Sequence, residues 1–160
     1  MNYNNDSVRR QDRLLSEVEA VALLRVGEFG VLSMVSEQSG GYGIPLSFAF
    51  DGEVIYFHCA PEGEKLKALA ANNRVSFCVI GKTRVIPDQF TTAYESVLVN
   101  GTVALDLSDS EKLHALELIL DKYSPDDKAV GMKYAEKSFQ RTCVIRLDIA
   151  SVSGKCKVTK

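Results

Sequence analysis

Hydrophobic positions along this chain follow two rhythms. One has the spacing of a helix and the other the alternation of a strand, and they change over at Gly, Pro, Asn and Asp. Ser16 and Glu19 stand at capping-box spacing. Val18, Val21, Ala22 and Leu24 to Val26 follow at helical spacing and Gly27 is a natural stop, so a helix is predicted over about 16–26. Strand signals come next in FGVLSMVS (29–36), IPLSFAF (44–50) and EVIYFHC (53–59). SGGYG (39–43) reads as a turn and Asp51-Gly52 as a two-residue hairpin loop, and such short connections make the strands antiparallel.

PEGEKLKALAAN (61–72) reads as a helix, with Pro61 at its first position and Leu66 and Leu69 inward. RVSFCVIG (74–81) is a strand, 82–93 a loop around Pro87, and YESVLVNGTVALDL (94–107) a long strand with a bend or bulge at Gly101. Ser108 and Glu111 form a second capping box, ahead of Leu113, Leu116, Leu120 and Tyr123 on one helical face. Ser124-Pro125-Asp126 breaks that helix, residues 127–139 are a candidate shorter one, and TCVIRLDIASV (142–152) is the last strand. Residues 1–8 read as a frayed, disordered tail and 155–160 as a second tail. The total is about six strands and three helices, mostly sequential and antiparallel. The expectation is one domain over 1–160, mainly β with α: a six-stranded antiparallel β-barrel with peripheral helices, because closure hides sheet edges. The βα alternation and GxGxxG of a dinucleotide fold are absent.

Composition narrows the function classes. A chain of 160 residues suits a single core, and 46% hydrophobic with 25% charged residues is ordinary for a globular protein. Nineteen basic against 21 acidic residues leave a net charge of −2, which removes the main electrostatic motive for nucleic-acid binding. No apolar run is long enough for a membrane span and the N-terminus has no secretory apolar region, so a cytoplasmic protein without a membrane partner is expected. Cys59, Cys78, Cys143 and Cys156 are scattered without a CxxC pair, so they read as buried reduced thiols in strands and no metal site is expected. The nucleophile elbow, the P-loop and HExxH are all missing, and His114 reads as a structural or surface residue of a helix.

One segment concentrates the remaining chemistry. In VIYFHCAPEGEKL (54–66), alternation puts Val54, Tyr56 and His58 on one strand face and Ile55, Phe57 and Cys59 on the other. A helix begins a few residues later, and its N-terminus offers free N–H donors and partial positive charge. Lys65 in that first turn is disfavoured by the helix dipole unless an anion faces it. Ala60 and Gly63 let backbone approach such an anion closely, and His58 offers another donor. A phosphate cradle follows from this pattern. The alternative stands beside it: Glu62 and Glu64 balance Lys65, and His58 merely ends the strand.

F-H-C-A-P-E-G-E-K-L (57–66) also resembles the HxAxxGxK stretch of flavin-binding split-barrel proteins, the pyridoxamine 5′-phosphate oxidase-like superfamily. V-R-R-Q-D-R (8–13) and Y-E-S-V-L-V-N-G (94–101) resemble stretches of its 5-nitroimidazole-resistance (Nim-type) branch. I-P-L-S-F (44–48), N-N-R-V-S-F (72–77) and V-S-G-K (152–155) are similar to further family segments, in the same order along the chain. The resemblance implies a six-stranded split β-barrel that forms a homodimer, with two FMN sites at the subunit interface. It implies that His58, Cys59, Ala60, Gly63, Lys65 and Leu66 surround the phosphate and ribityl chain. By the same resemblance Ile44, Pro45, Leu46 and Ser47 line the flavin ring, and Glu95 and Ser96 lie on a strand that contributes to the site. Arg10 and Arg13 match the opening signature without an assigned ligand, and the role of Lys155 is equally open. Cys59 stands where relatives often have a hydroxyl, and an additional basic residue common near the phosphate is missing. Some superfamily members bind heme or a deazaflavin instead of FMN, so the ligand does not follow from the fold alone.

Two functions of different class are compatible with this pattern. One is an FMN-dependent oxidoreductase that reduces a small electron-poor substrate such as a nitro compound. The other is a non-catalytic flavin- or heme-binding module. No catalytic residue is assigned, although His58 and Tyr94 are conceivable proton donors. Oxidation of pyridoxamine phosphate is a third reading, for which the arginines that would hold the substrate phosphate cannot be placed.

Overall fold

The computed structural model describes residues 1–158. Helix α1 spans Glu17–Val26 behind a complete capping box, in which Ser16 accepts from the Glu19 N–H and the Glu19 carboxylate accepts from the Ser16 N–H. Seven strands follow: β1 (Gly30–Ser36), β2 (Gly40–Leu46), β3 (Ala49–Phe50), β4 (Val54–Cys59), β5 (Arg74–Ile86), β6 (Thr91–Ala104) and β7 (Cys143–Lys157). Helix α2 (Glu64–Ala71) lies between β4 and β5, while α3 (Asp109–Tyr123) and α4 (Lys128–Ser138) lie between β6 and β7. The strands form one antiparallel sheet in the order β2-β1-β5-β6-β7-β4-β3.

Seven strands stand where six were expected because 44–50 divides. The ladder of β2 ends at Leu46, and residues 49–50 pair with β4 at the opposite edge of the sheet. Only Ser47 and Phe48 join these edges. Three Cα steps span at most about 11 Å, so the sheet must curl until its two edges meet, which is the geometry of a barrel. SGGYG is not a turn but most of β2. The loop is Glu37–Ser39, closed by Gly40 at φ +72°, a left-handed conformation that suits glycine. The second hairpin turns one residue later than predicted. Asp51 Oδ1 accepts from the N–H groups of Glu53 and Val54, each at 2.8 Å, so the turn centres on Gly52-Glu53.

Residues 82–93 are also strand rather than loop. β5 and β6 continue their ladder beyond a register shift between Ile80 and Thr83 and form an arm that reverses at Pro87–Gln89. The bulge expected at Gly101 is present as a shift between Asn100 and Gly101. The N-terminal segment is pinned rather than frayed. Asn4 N–H donates to Val152 O at 2.8 Å, Val152 N–H returns a bond to Asn2 O, and the Tyr3 hydroxyl donates to Leu15 O. The C-terminal tail is strand as far as Lys157, and its last two residues lie outside the described ones.

Alternation divides the core in two. Leu32, Phe48, Ile55, Phe57, Phe77, Val97, Val99, Ile145 and Leu147 fill the barrel, with Phe77 packed edge-on against Phe48 and Phe57. On the outer face of β4 and β7, Tyr56 and Val144 pack under Ala115, Leu116 and Ala135 of α3 and α4. The second capping box is only half formed. Ser108 accepts from the Glu111 N–H, but the Glu111 carboxylate instead takes Arg146 Nη1 at 2.8 Å and the Tyr56 hydroxyl at 3.2 Å. All four cysteines lie in strands as free thiols, half-buried rather than fully buried. Burial raises the pKa of Cys78, Cys143 and Cys156, which makes them poor nucleophiles.

Candidate functional site

The β4–α2 corner is where the barrel leaves polar groups without partners. Phe57 is fully buried, while His58 and Ala60 are exposed and Cys59 is half-buried opposite Cys143 of β7. Pro61 precedes the helix rather than starting it. Gly63 is the N-cap, with φ +132° and ψ 170°, a conformation essentially confined to glycine. A Cβ there would meet nothing within 4 Å, so the glycine is required by its backbone angle and the space before it is open. Lys65 is the second residue of α2. Having no side chain, Gly63 caps no N–H, and among the described residues the first-turn N–H groups of Glu64, Lys65 and Leu66 have no acceptor.

The two acidic neighbours do not neutralise Lys65. Glu64 is drawn away by Ser36, a buried hydroxyl that donates to its Oε1 at 2.6 Å. Glu62 is exposed, and Lys65 makes no ion pair among the described residues. Although His58 is exposed as a residue, partial burial of its imidazole pushes the pKa below the ordinary value, and the charge of Lys65 adds to this. Its imidazole is therefore neutral at neutral pH and donates one hydrogen bond. The corner thus offers three backbone N–H donors, one ammonium and one imidazole to a ligand, a donor set suited to a phosphate.

His58 also borders a groove of mixed polar and apolar lining, about 480 Å³, with Cys59, Ala60, Tyr134, Ser138, Arg141 and Thr142. The sequence offers no local signal for these four later residues. They reach His58 because β7 pairs with β4, His58 opposite Val144, across 86 residues of chain.

The other expected site residues lie elsewhere. Ile44 and Leu46 turn into the barrel, leaving their backbone and the exposed Pro45 and Ser47 on the outside. Ser96 lies on β6 between Ile80 and Lys155, and Glu95 packs against Gly81. None of these lines the groove at His58. Within one chain the expected set is divided among the β4–α2 corner, the β2 edge and β6. Arg10 is engaged by Asp12 at 2.6 Å, and the guanidinium holds that carboxyl well below the usual carboxylate range. Lys155 lies over the Tyr94 ring and His114 beside the Tyr56 ring. Among the described residues no cluster of His, Cys, Asp and Glu is arranged to hold a metal, and no helix is long and apolar enough to cross a membrane.

The family model of pyridoxamine 5′-phosphate oxidase matches residues 16–156. This chain belongs to that family. No curated protein matches it in sequence. Among solved structures it is similar to a candidate 5-nitroimidazole antibiotic resistance protein from Bacteroides thetaiotaomicron, with TM-score 0.73 and 19% identity over 90% of this chain and 86% of that one. It is similar to an FAD-binding protein from Mesorhizobium loti, with TM-score 0.63 and 25% identity over 91% and 98% of the two chains. An FAD- and heme-binding protein from Mycobacterium smegmatis superposes with TM-score 0.71 and 18% identity over 93% and 75%. The family's flavin-binding split-barrel fold therefore accounts for the sheet and its curl. The β4–α2 corner, with its unpaired N–H groups and lysine, is chemically suited to the phosphate of a flavin.

Proposed function

We propose that this chain binds FMN by its phosphate at the β4–α2 corner and acts as an oxidoreductase on a small electron-poor substrate such as a nitro compound. The observation that carries the reading is the set of unpaired donors at the start of α2, beside a lysine whose acidic neighbour is held by Ser36. The Lys65 ammonium and the N–H groups of residues 64–66 bind the phosphate, with His58 as a further donor. Cys59, Ala60, Gly63 and Leu66 shape the approach, Gly63 through its backbone angle. The bound flavin supplies reversible electron transfer, and the protein supplies binding, orientation and exclusion of water.

A homodimer completes this site in the same reading. The outer face of β1, β5 and β6 carries exposed Val35, Ile80 and Leu98 and half-buried Val31 and Cys78, an apolar surface without a cover. Pro45 and Ser96 lie on that same face, Pro45 opposite Val31 and Ser96 opposite Ile80. A second chain laid on it brings these residues and Ser47 to the ring end of the flavin.

The absorption spectrum of the purified protein tests the cofactor. Flavin bands are expected, and a Soret band in their place would overturn the reading. Reduction by NADH or NADPH, followed by reoxidation with a nitro compound, tests the activity, and a bound but inert flavin would favour the non-catalytic module. Light scattering tests the dimer, which a flavin-loaded monomer would contradict.

A further inference from the structure

The groove at His58 meets the phosphate corner at Cys59 and Ala60 and runs on from there. Past His58, Tyr134, Ser138 and Thr142, which line both hollows, it runs into a cleft of about 380 Å³ between α3 and α4. The two hollows differ in chemistry. The first carries the Arg141 guanidinium, which makes no ion pair among the described residues. The second is apolar, floored by the buried side chains of Leu116, Ile119 and Ala135. Val130 and Tyr134 of α4 border it, each 70% exposed, and the Asp127 carboxylate marks its far rim without a hydrogen-bond partner among the described residues. The cleft's size falls within the range of about 300–1,000 Å³ found for small-molecule sites.

We infer that this cleft is an adenosine subsite, and that the chain takes flavin adenine dinucleotide in preference to FMN. The inference rests on the phosphate reading above, keeps its phosphate site, and replaces FMN by the dinucleotide because of what lies on the far side of the phosphate. A ligand whose first phosphate sits at His58 and Lys65 has Arg141 next in line, placed for a second phosphate. Beyond that comes an apolar cleft with a tyrosine ring at its edge, which suits a neutral planar purine. Asp127 can accept from a ribose hydroxyl or the purine amine. The same carboxylate, with Asp126 beside it, repels the acidic oligoglutamate tail of a deazaflavin, so that occupant does not fit.

Titrations of wild-type protein with FAD, FMN, riboflavin and an oligoglutamyl deazaflavin, read by flavin fluorescence, test this. Purine stacking in the cleft predicts FAD binding tighter than FMN by about 5- to 150-fold. Val130→Trp fills the cleft from its exposed rim, and Tyr134→Ala removes the stacking ring. Each is expected to cancel most of the FAD advantage. Val130 lies outside the groove at His58, so Val130→Trp is expected to leave FMN binding unchanged, which also shows that the variant is folded. FAD binding no tighter than FMN in the wild type would overturn the inference while leaving the phosphate reading intact. So would an FAD advantage that survives both substitutions, or a deazaflavin that binds as well as FAD. Failure of all four flavins to bind would overturn the phosphate reading, and this inference with it.

Discussion

Phe57 and Ala60 are three residues apart, and the chain passes between them from its most enclosed surroundings to some of its most open. Phe57 is fully buried in the apolar cluster that fills the barrel. Phe77 meets its ring edge-on at 4.9 Å, and the backbone on either side is paired into β7. Beyond Cys59 the ladder ends, Pro61 follows, and α2 starts behind a glycine that caps nothing. The interior is satisfied by the chain itself, whereas the corner has donors left over. Leftover donors in a folded chain are costly unless solvent or a ligand pairs with them, which is why the corner, not the barrel interior, reads as the binding site.

The interior carries the largest expected loss on substitution. Phe77→Ala removes the ring that joins Phe48 and Phe57, and is expected to cost about 3–5 kcal/mol of unfolding free energy. Urea denaturation measures it, and a loss under about 1 kcal/mol would mean that the barrel interior is not packed as described.

Gly63→Ala sharpens the other side. Open space surrounds the position, so no clash contributes, and the ε-region backbone alone predicts a loss of about 1–3 kcal/mol. Flavin affinity should fall with it because the start of α2 shifts. Wild-type stability together with unchanged affinity would show that the corner does not depend on this conformation.

The smallest effect lies between the two regions. Lys122 Nζ sits 3.6 Å above the Phe48 ring without a hydrogen-bond partner among the described residues, and burial lowers its pKa to about 8. Its folded-state pKa is below the unfolded one, so the unfolded chain binds more protons between about pH 8 and 10.5, and stability rises with pH across that window. Lys122→Met should abolish that rise and add no more than about 1 kcal/mol at pH 7, because the lysine is partly solvent-exposed. Thermal melts of both proteins from pH 7 to 10.5 provide the comparison, and parallel curves would place the ammonium in water.

What was legible in the sequence was local. The Ser16–Glu19 capping box, the bulge at Gly101 and the alternation of Ile55 and Phe57 against Tyr56 and His58 each depend on residues within a few positions of one another. The β4–α2 corner was legible for the same reason, since strand end, glycine, lysine and helix fall within eight residues. Long-range consequences were not. Local propensity gives 44–50 one strand type throughout, and only curling of the whole sheet separates Leu46 from Ala49. The arm at 82–93 looks like a loop because Pro87 and Asp88 stand at its tip. The groove residues Tyr134 and Arg141 meet His58 only through a strand pairing formed at the far end of the chain. Glu111 could not be read as a partner of Arg146 for the same reason, although its capping role had a local signature.

If the β4–α2 corner holds a flavin by its phosphate, Lys65→Ala removes the charge that does most of the holding. A charge-assisted bond at this site contributes about 1.5–3 kcal/mol, which is about a 10- to 150-fold change in dissociation constant. Titrating wild type and variant with FMN and with riboflavin, which lacks the phosphate, isolates that term. A loss of this size is expected for FMN and almost none for riboflavin. Equal losses for the two flavins, or no loss for either, would contradict phosphate binding at the corner.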